Sequence, residues 1–189
     1  MPRIEGVSEH TRNPLLRLIF GLTRRRFGRP VEPLYGYARS GPFLAGMIGL
    51  ELGMERAHRV DAKLKALAEL RVAALVGCPF CLDIGSSIVA RLGVPPAQVR
   101  ELNRYEQSAA FSALEKAVLR YADAMTATPV RIDDADLRVL REQLDDSALV
   151  ELSGAIGLEN LRSRVNHALG YGATGFSEGA ACALPATAA

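Results

Sequence analysis

Residues 62–92, AKLKALAELRVAALVGCPFCLDIGSSIVARL, decide the architecture. Asp61 precedes the run as a helix N-cap, and Leu64, Leu67, Leu70, Val72 and Leu75 recur at the spacing of one helical face. Gly77 is the expected stop, because it enters the left-handed conformation without a Cβ penalty. Cys78 then stands as the N-cap of a second helix, with Pro79 at its first position, where a missing N–H costs nothing and φ is already helical. That helix is expected to run to Leu92, before Gly93. The stretch therefore reads as two helices meeting at a glycine, with a CxxC pair at the start of the second.

Outward from this joint the signals stay helical, and strand signals are close to absent. Asn13 followed by Pro14 opens a helix to about Arg26, and Ser40 with Pro42 opens another to about His58. Gly46, Gly49 and Gly53 on the latter are expected to let a partner helix approach closely. Pro95 and Pro96 start a short helix, and Ser112 with Glu115 forms a capping box ahead of KAVLRYADAMTA. Asp133 or Asp134 caps ADLRVLREQL, and Ser147 is expected to begin the longest helix, ended by Gly170. No long linker and no fixed-period repeat interrupts the chain. The expectation is an all-α single domain, a bundle of about seven or eight helices: residues 1–39 a basic N-terminal helix and arm, 40–183 the body, and 184–189 a frayed tail.

A chain of 189 residues can bury a substantial core without disulfides or metals to brace it. Its apolar runs fall far short of the ~20 residues that a membrane span needs. The first apolar patch, PLLRLIFGL, is interrupted by Arg17 and followed by TRRRFGR, which lacks the order of a secretory signal, so a cytoplasmic protein with no membrane span is expected. Residues 1–30 carry seven arginines against Glu5 and Glu9, net +5, against −3 over the rest. No aromatic interleaving or nucleic-acid motif accompanies them, so the basic helix is expected to dock on the body or on a neighbouring subunit rather than on nucleic acid.

Three cysteines, an odd number, do not make a secreted disulfide framework, and a CxxC in a reducing compartment points to redox or metal chemistry. At an N-cap, the Cys78 sulfur faces unsatisfied backbone N–H groups and the positive end of the helix dipole, so Cys78 should be the more acidic thiol. Cys81 lies one turn further, within disulfide reach. Against this stands the plain alternative of two buried thiols packed as small hydrophobes. A metal site needs further ligands. Only His10, His58, His167 and the distant Cys182 are on offer, and the set Cys78, Cys81, Asp83 and His167 follows no spacing rule, so neither a metal nor another cofactor is expected.

The stretches ELRVAALVGCPFCLDIGS, LEKAVLRYADAMTATP with DDADLRVLREQL and DDSALVEL, and GLENLRSRVNHALGYGATGFSEG span roughly residues 40–183. Together they resemble the carboxymuconolactone decarboxylase and alkylhydroperoxidase D-like (AhpD-like) family. The resemblance implies an AhpD-like helical bundle that holds the CxxC helix, assembled as a homo-oligomer, usually a trimer or hexamer and otherwise a dimer. It also implies peroxiredoxin-like chemistry, peroxidase or disulfide reductase, for the cysteine-bearing branch. Cys81 would attack a hydroperoxide or disulfide substrate, Cys78 would resolve the sulfenic acid, and an external thiol reductant would restore the pair. This assignment runs against the cap argument, and a mixed disulfide with an external thiol is expected at Cys78, as the more exposed sulfur.

Family peroxidases place a glutamate twelve residues before the first cysteine and a histidine four after the second. Here those positions are Ala66 and Gly85, and neither side chain can move a proton. Weak hydroperoxidase activity is the consequence, since general acids and bases contribute roughly 10² to 10⁴ in rate. Replacement groups are Glu69, one turn beyond Ala66, together with Asp83, Ser86 and His167. Three of them have a structural alternative: Glu69 a solvated glutamate, Asp83 a first-turn acid, His167 a satisfied core donor. On the last long helix Asn160, Arg164 and His167 form one polar ridge, and Glu159, Arg162 and Asn166 another, which is expected to be a structural network at a subunit interface, with His167 or Glu159 near the cysteines as the lesser reading. Tyr121 and Asp123 are similar. Two other functions stay open: a non-catalytic oligomeric scaffold or binding member, and a lactone decarboxylase, the latter disfavoured because that branch generally lacks the cysteine pair.

Overall fold

The computed structural model describes residues 2–183, so the frayed tail assigned to 184–189 lies outside the described residues. These residues form nine α-helices and no strand: α1 Pro14–Phe27, α2 Glu32–Tyr37, α3 Gly41–Arg56, α4 Ala62–Val76, α5 Pro79–Arg91, α6 Pro96–Glu101, α7 Ala113–Thr126, α8 Asp134–Arg141 and α9 Asp146–Leu169, with a 3₁₀ turn at Leu102–Gln107 after α6. The extra helix is α2. It is six residues long, and its N-cap Val31 makes no side-chain bond, so Glu32 and Pro33 in its first turn are the start signal that the sequence carries.

The expected caps account for most boundaries. Asp61 accepts from the Lys63 N–H at 2.8 Å, and Gly77 closes α4 at φ 73°. Ser112 and Glu115 exchange both bonds of the capping box, at 2.7 and 3.2 Å. The start of α9 is corrected by one residue, because Asp145 caps it by accepting from Ala148 N–H at 2.7 Å. The glycine face of α3 is corrected too: a Cβ added at Gly46, Gly49 or Gly53 would meet nothing within 4 Å, so no other helix of this chain packs closely there.

The central helix is α4, which packs against α5, α7 and α9. Ala66, Leu67, Leu70 and Ala73 join Cys78, Phe80, Cys81 and Val89 in one apolar cluster. Ala68 and Val72, on another side, join Val118 and Ala122 of α7 and Leu152 and Ile156 of α9 in a second. A single leucine face therefore understates α4: its alanines admit neighbours on a further side, while Leu75, assigned to the apolar face, is 42% exposed.

After α9 the chain returns across α5, held by two polar side chains of that helix. Asp83, 1% exposed, accepts from the N–H groups of Thr174, Phe176 and Ser177 at 2.8 to 2.9 Å and from the Ser177 hydroxyl at 2.7 Å. Ser86 accepts from Ala183 N–H at 3.1 Å, and Phe176 meets Phe80 edge to face. Burial pushes the Asp83 carboxyl up, but these bonds outweigh it and hold the group below its ordinary value. Asp83→Asn is therefore expected to destabilise the fold by about 2–4 kcal/mol, because a neutral amide cannot satisfy four buried donors. A carboxyl depressed in the folded state stabilises above its unfolded pKa and loses that contribution as pH falls through the folded one. The difference between variant and parent in urea unfolding should be full at pH 7 and should shrink below about pH 4.

Candidate active site

Cys78 caps α5 from an extended backbone (φ −86°, ψ 106°), and its sulfur accepts from Cys81 N–H at 3.2 Å. A hydrogen bond from the Cys81 thiol holds the Cys78 thiol below its usual range against the opposing effect of burial, with help from the Cys81 N–H and Ser163. That same bond, burial and the Cys78 charge push the Cys81 thiol well up. The expectation that Cys78 is the more acidic sulfur thus agrees with the site's electrostatics. Its expected exposure does not: Cys78 is 0% and Cys81 6% exposed, because Cys78 closes the joint between α4 and α5 from inside.

The wall facing the pair is α9, through Glu159, Ser163 and Asn166, which fall at i, i+4 and i+7 on its buried side. Asn166 Nδ2 donates to Cys81 Sγ at 3.4 Å, and the Tyr37 hydroxyl, brought in by α2, donates to Asn166 Oδ1. The hydroxyl of Ser163, itself 0% exposed, donates to Glu159 Oε1 at 2.5 Å, and its dipole favours the charged form of both thiols. Behind it Arg162 gathers three carboxylates: Nε to Glu159 at 2.8 Å, Nη1 to Glu51 at 3.0 Å and Nη2 to Glu69 at 3.0 Å. Burial pushes the Glu159 carboxyl well up, and Cys81 and Glu69 add to this against the pull of Arg162 and Ser163.

The six residues singled out in the sequence divide sharply. Cys78 and Cys81 come together. Glu69 joins the cluster only through Arg162, and its side chain is 26% exposed. Asp83 and Ser86 spend their bonds on the C-terminal segment. His167 is exposed rather than a satisfied core donor, and its Nδ1 lies 2.9 Å from the Gly77 carbonyl. On the same helix, Asn160 and Arg164 reach the Thr126 hydroxyl and carbonyl, and on α7 Tyr121 meets Ser153 while Asp123 pairs with Arg71, all away from the sulfurs.

Sequence reasoning missed Ser163 and Tyr37. Ser163 was findable, as a small polar residue one turn after Glu159 on a helix set for burial. Tyr37 was not, because it lies in the arm, far from the pair in sequence. Ala66 packs in the cysteine cluster itself. A Cβ at Gly85 would come within 3.1 Å of Leu70 Cδ1, and Leu70 is 1% exposed, so a histidine there would have to displace a core leucine. Among the described residues no group of three or more His, Cys, Asp or Glu side chains is arranged to hold a metal ion, and no helix is long and apolar enough to cross a membrane.

Residues 42–124 match the model of the carboxymuconolactone decarboxylase family. The chain is 33% identical over 173 residues to the uncharacterized protein YnjA of Escherichia coli (strain K12), covering 90% of this chain and 92% of that one. Among solved structures it is similar to the alkylhydroperoxidase AhpD core, an uncharacterized peroxidase-related protein from Ralstonia eutropha JMP134, with a TM-score of 0.83, 13% identity, and 93% and 94% of the two chains covered. It is also similar to the debrominase Bmp8 in complex with 2,3,4-tribromopyrrole, with a TM-score of 0.79, 18% identity, and 93% and 94% covered. At such identities these two structures show a shared fold.

Proposed function

This chain belongs to the carboxymuconolactone decarboxylase family, and from that membership we propose that it is an AhpD-like thiol oxidoreductase that cycles Cys78 and Cys81 between dithiol and disulfide while reducing hydroperoxides. What supports this most is the opposed acidity of two buried, mutually bonded thiols at a helix start. Packing alone would not call for it, and a thiolate stabilised beside a second thiol is what reversible oxidation uses. One sulfur attacks the peroxide, the O–O bond breaks and an alcohol leaves. The other attacks the resulting sulfenic sulfur, the S–O bond breaks and water leaves, with the two electrons drawn from the dithiol. Following the family roles, attack falls to Cys81 and resolution to Cys78, and an external dithiol reduces the disulfide again.

The sequence contains three cysteines, so a stoichiometric dose of peroxide should lower the thiols titrated in denaturant from three to one per chain. Added dithiol should restore them. An unchanged count would overturn this reading in favour of a scaffold that keeps the fold without the chemistry.

A further inference from the structure

We propose that Ser163 and Glu159 deliver the proton that this dithiol lacks, with Ser163 on the helix face turned to the sulfurs and Glu159 behind it as the proton store. The inference rests on the dithiol reading above and supplies the acid and base function that Ala66 and Gly85 cannot.

The balance of the reaction creates the need. The form that attacks a peroxide is a thiolate beside a thiol, and in that form the pair holds one proton. Reduction of a hydroperoxide to an alcohol and water, with formation of the disulfide, consumes that proton and one more. A second proton must therefore come from a neighbour. Ser163 is the buried hydroxyl on the α9 face that meets the sulfurs, between Glu159, to whose carboxyl oxygen it is bonded at 2.5 Å, and Asn166, whose amide reaches Cys81 Sγ at 3.4 Å. When Glu159 holds a proton, the bond between them runs from the carboxyl O–H to Ser163 Oγ, and Ser163 donates onward to sulfur. As the O–O bond breaks, the proton of Ser163 passes to the leaving alkoxide and that of Glu159 refills Ser163. The proton of Cys81 is retained by the pair until hydroxide leaves the sulfenic sulfur as water. Glu159 regains its proton from solvent between turnovers.

Charge counting explains why Glu159 would be the group that is loaded. Three carboxylates face a single guanidinium: Glu51 from α3, Glu69 from α4, and Glu159 from the same helix as Arg162. Cys78 and Cys81 face the cluster from α5, and Tyr37 from α2 through Asn166. If every carboxyl were ionised, the pocket would hold two uncompensated negative charges beside a thiolate. The least hydrated group neutralises most readily, and the Glu159 side chain is 8% exposed against 26% for Glu69 and 40% for Glu51. The raised Glu159 carboxyl agrees in direction.

The decisive experiment compares two reactions of the pair: alkylation of its thiolate by iodoacetamide, which needs no proton donor, and oxidation by peroxide, which does. In Glu159→Gln, alkylation should hold its rate, because the protonated carboxyl that is replaced carries no charge, while single-turnover oxidation should fall by about 10²-fold or more. The parent's oxidation rate should decline with rising pH as Glu159 loses its proton, and that limb should vanish in the variant. Ser163→Ala, which removes only the hydroxyl, should reproduce the oxidation loss with alkylation intact at pH 9. Oxidation at the parental rate in Glu159→Gln would overturn the proposal, as would equal losses in both reactions, which mark a merely structural role. A parent that forms no disulfide with peroxide would instead overturn the dithiol reading on which it rests.

Discussion

Cys81→Ser is expected to slow hydroperoxide turnover by about 10³-fold or more, the scale on which removal of a nucleophile acts. The fold should survive, since serine replaces a small buried side chain and the Asn166 amide, which donates to Cys81 Sγ at 3.4 Å, can donate equally to a hydroxyl. Alkylation should persist in this variant below the pH range of an ordinary thiol, because the Cys78 sulfur still accepts the residue 81 N–H at the helix start. The group to watch is that remaining sulfur: it should react once with iodoacetamide and form no intramolecular disulfide. Cys78→Ser should also abolish the disulfide, but by removing the acidic partner, so its alkylation should shift to higher pH. Peroxide consumption by Cys81→Ser at the parental rate would end the redox assignment.

The second large effect is on stability. Arg162→Met should cost about 3–5 kcal/mol at pH 7, the range for removing one partner of a buried ion pair. Arg162 holds Glu159, Glu51 and Glu69 at 2.8 to 3.0 Å, and burial alone would push its guanidinium toward neutrality if those three carboxylates did not hold it charged. Without it the carboxyls bind protons still more readily, which lifts their folded pKa further above the unfolded value than burial of Glu159 and Glu69 already does. Such groups cost stability as pH rises through the unfolded carboxyl range, so the deficit should be largest near neutrality and should shrink toward about pH 4. Urea unfolding of variant and parent at both pH values measures it. A deficit that does not change with pH would mean that Arg162 acts through packing of its aliphatic stem.

Much of the fold was legible because helices announce themselves locally. Asp61, Ser112 and Gly77 each act within a turn of the backbone groups they satisfy, so their effect is written in neighbouring residues. Where that local signal was missing or doubled, reading failed: α2 has no side-chain cap, and α9 begins at Asp146 under an Asp145 cap rather than at Ser147, because Asp and Ser are both competent N-caps. The partner expected for the α3 glycines does not come from within the chain, because a permissive surface says nothing about what covers it.

The candidate site shows the same divide. The pairing of Cys78 with Cys81, its place at a helix start and the greater acidity of Cys78 follow from the four residues 78–81 and needed no tertiary contact. Which side chains surround the pair did not follow. Asp83 and Ser86 looked chemical from their nearness in sequence, yet the returning C-terminal segment claims both. His167 and Glu159 stood on the same helix with similar claims, but about eight residues of α-helix turn one toward solvent at the Gly77 carbonyl and the other toward the sulfurs. The sequence by itself determined an all-helical chain with a CxxC pair at one joint. Only the packing of α9 and α2 against α5 decided that Ser163, Glu159, Asn166 and Tyr37 surround it, because the direction of a side chain across an interface depends on helix rotation, and no local rule encodes that.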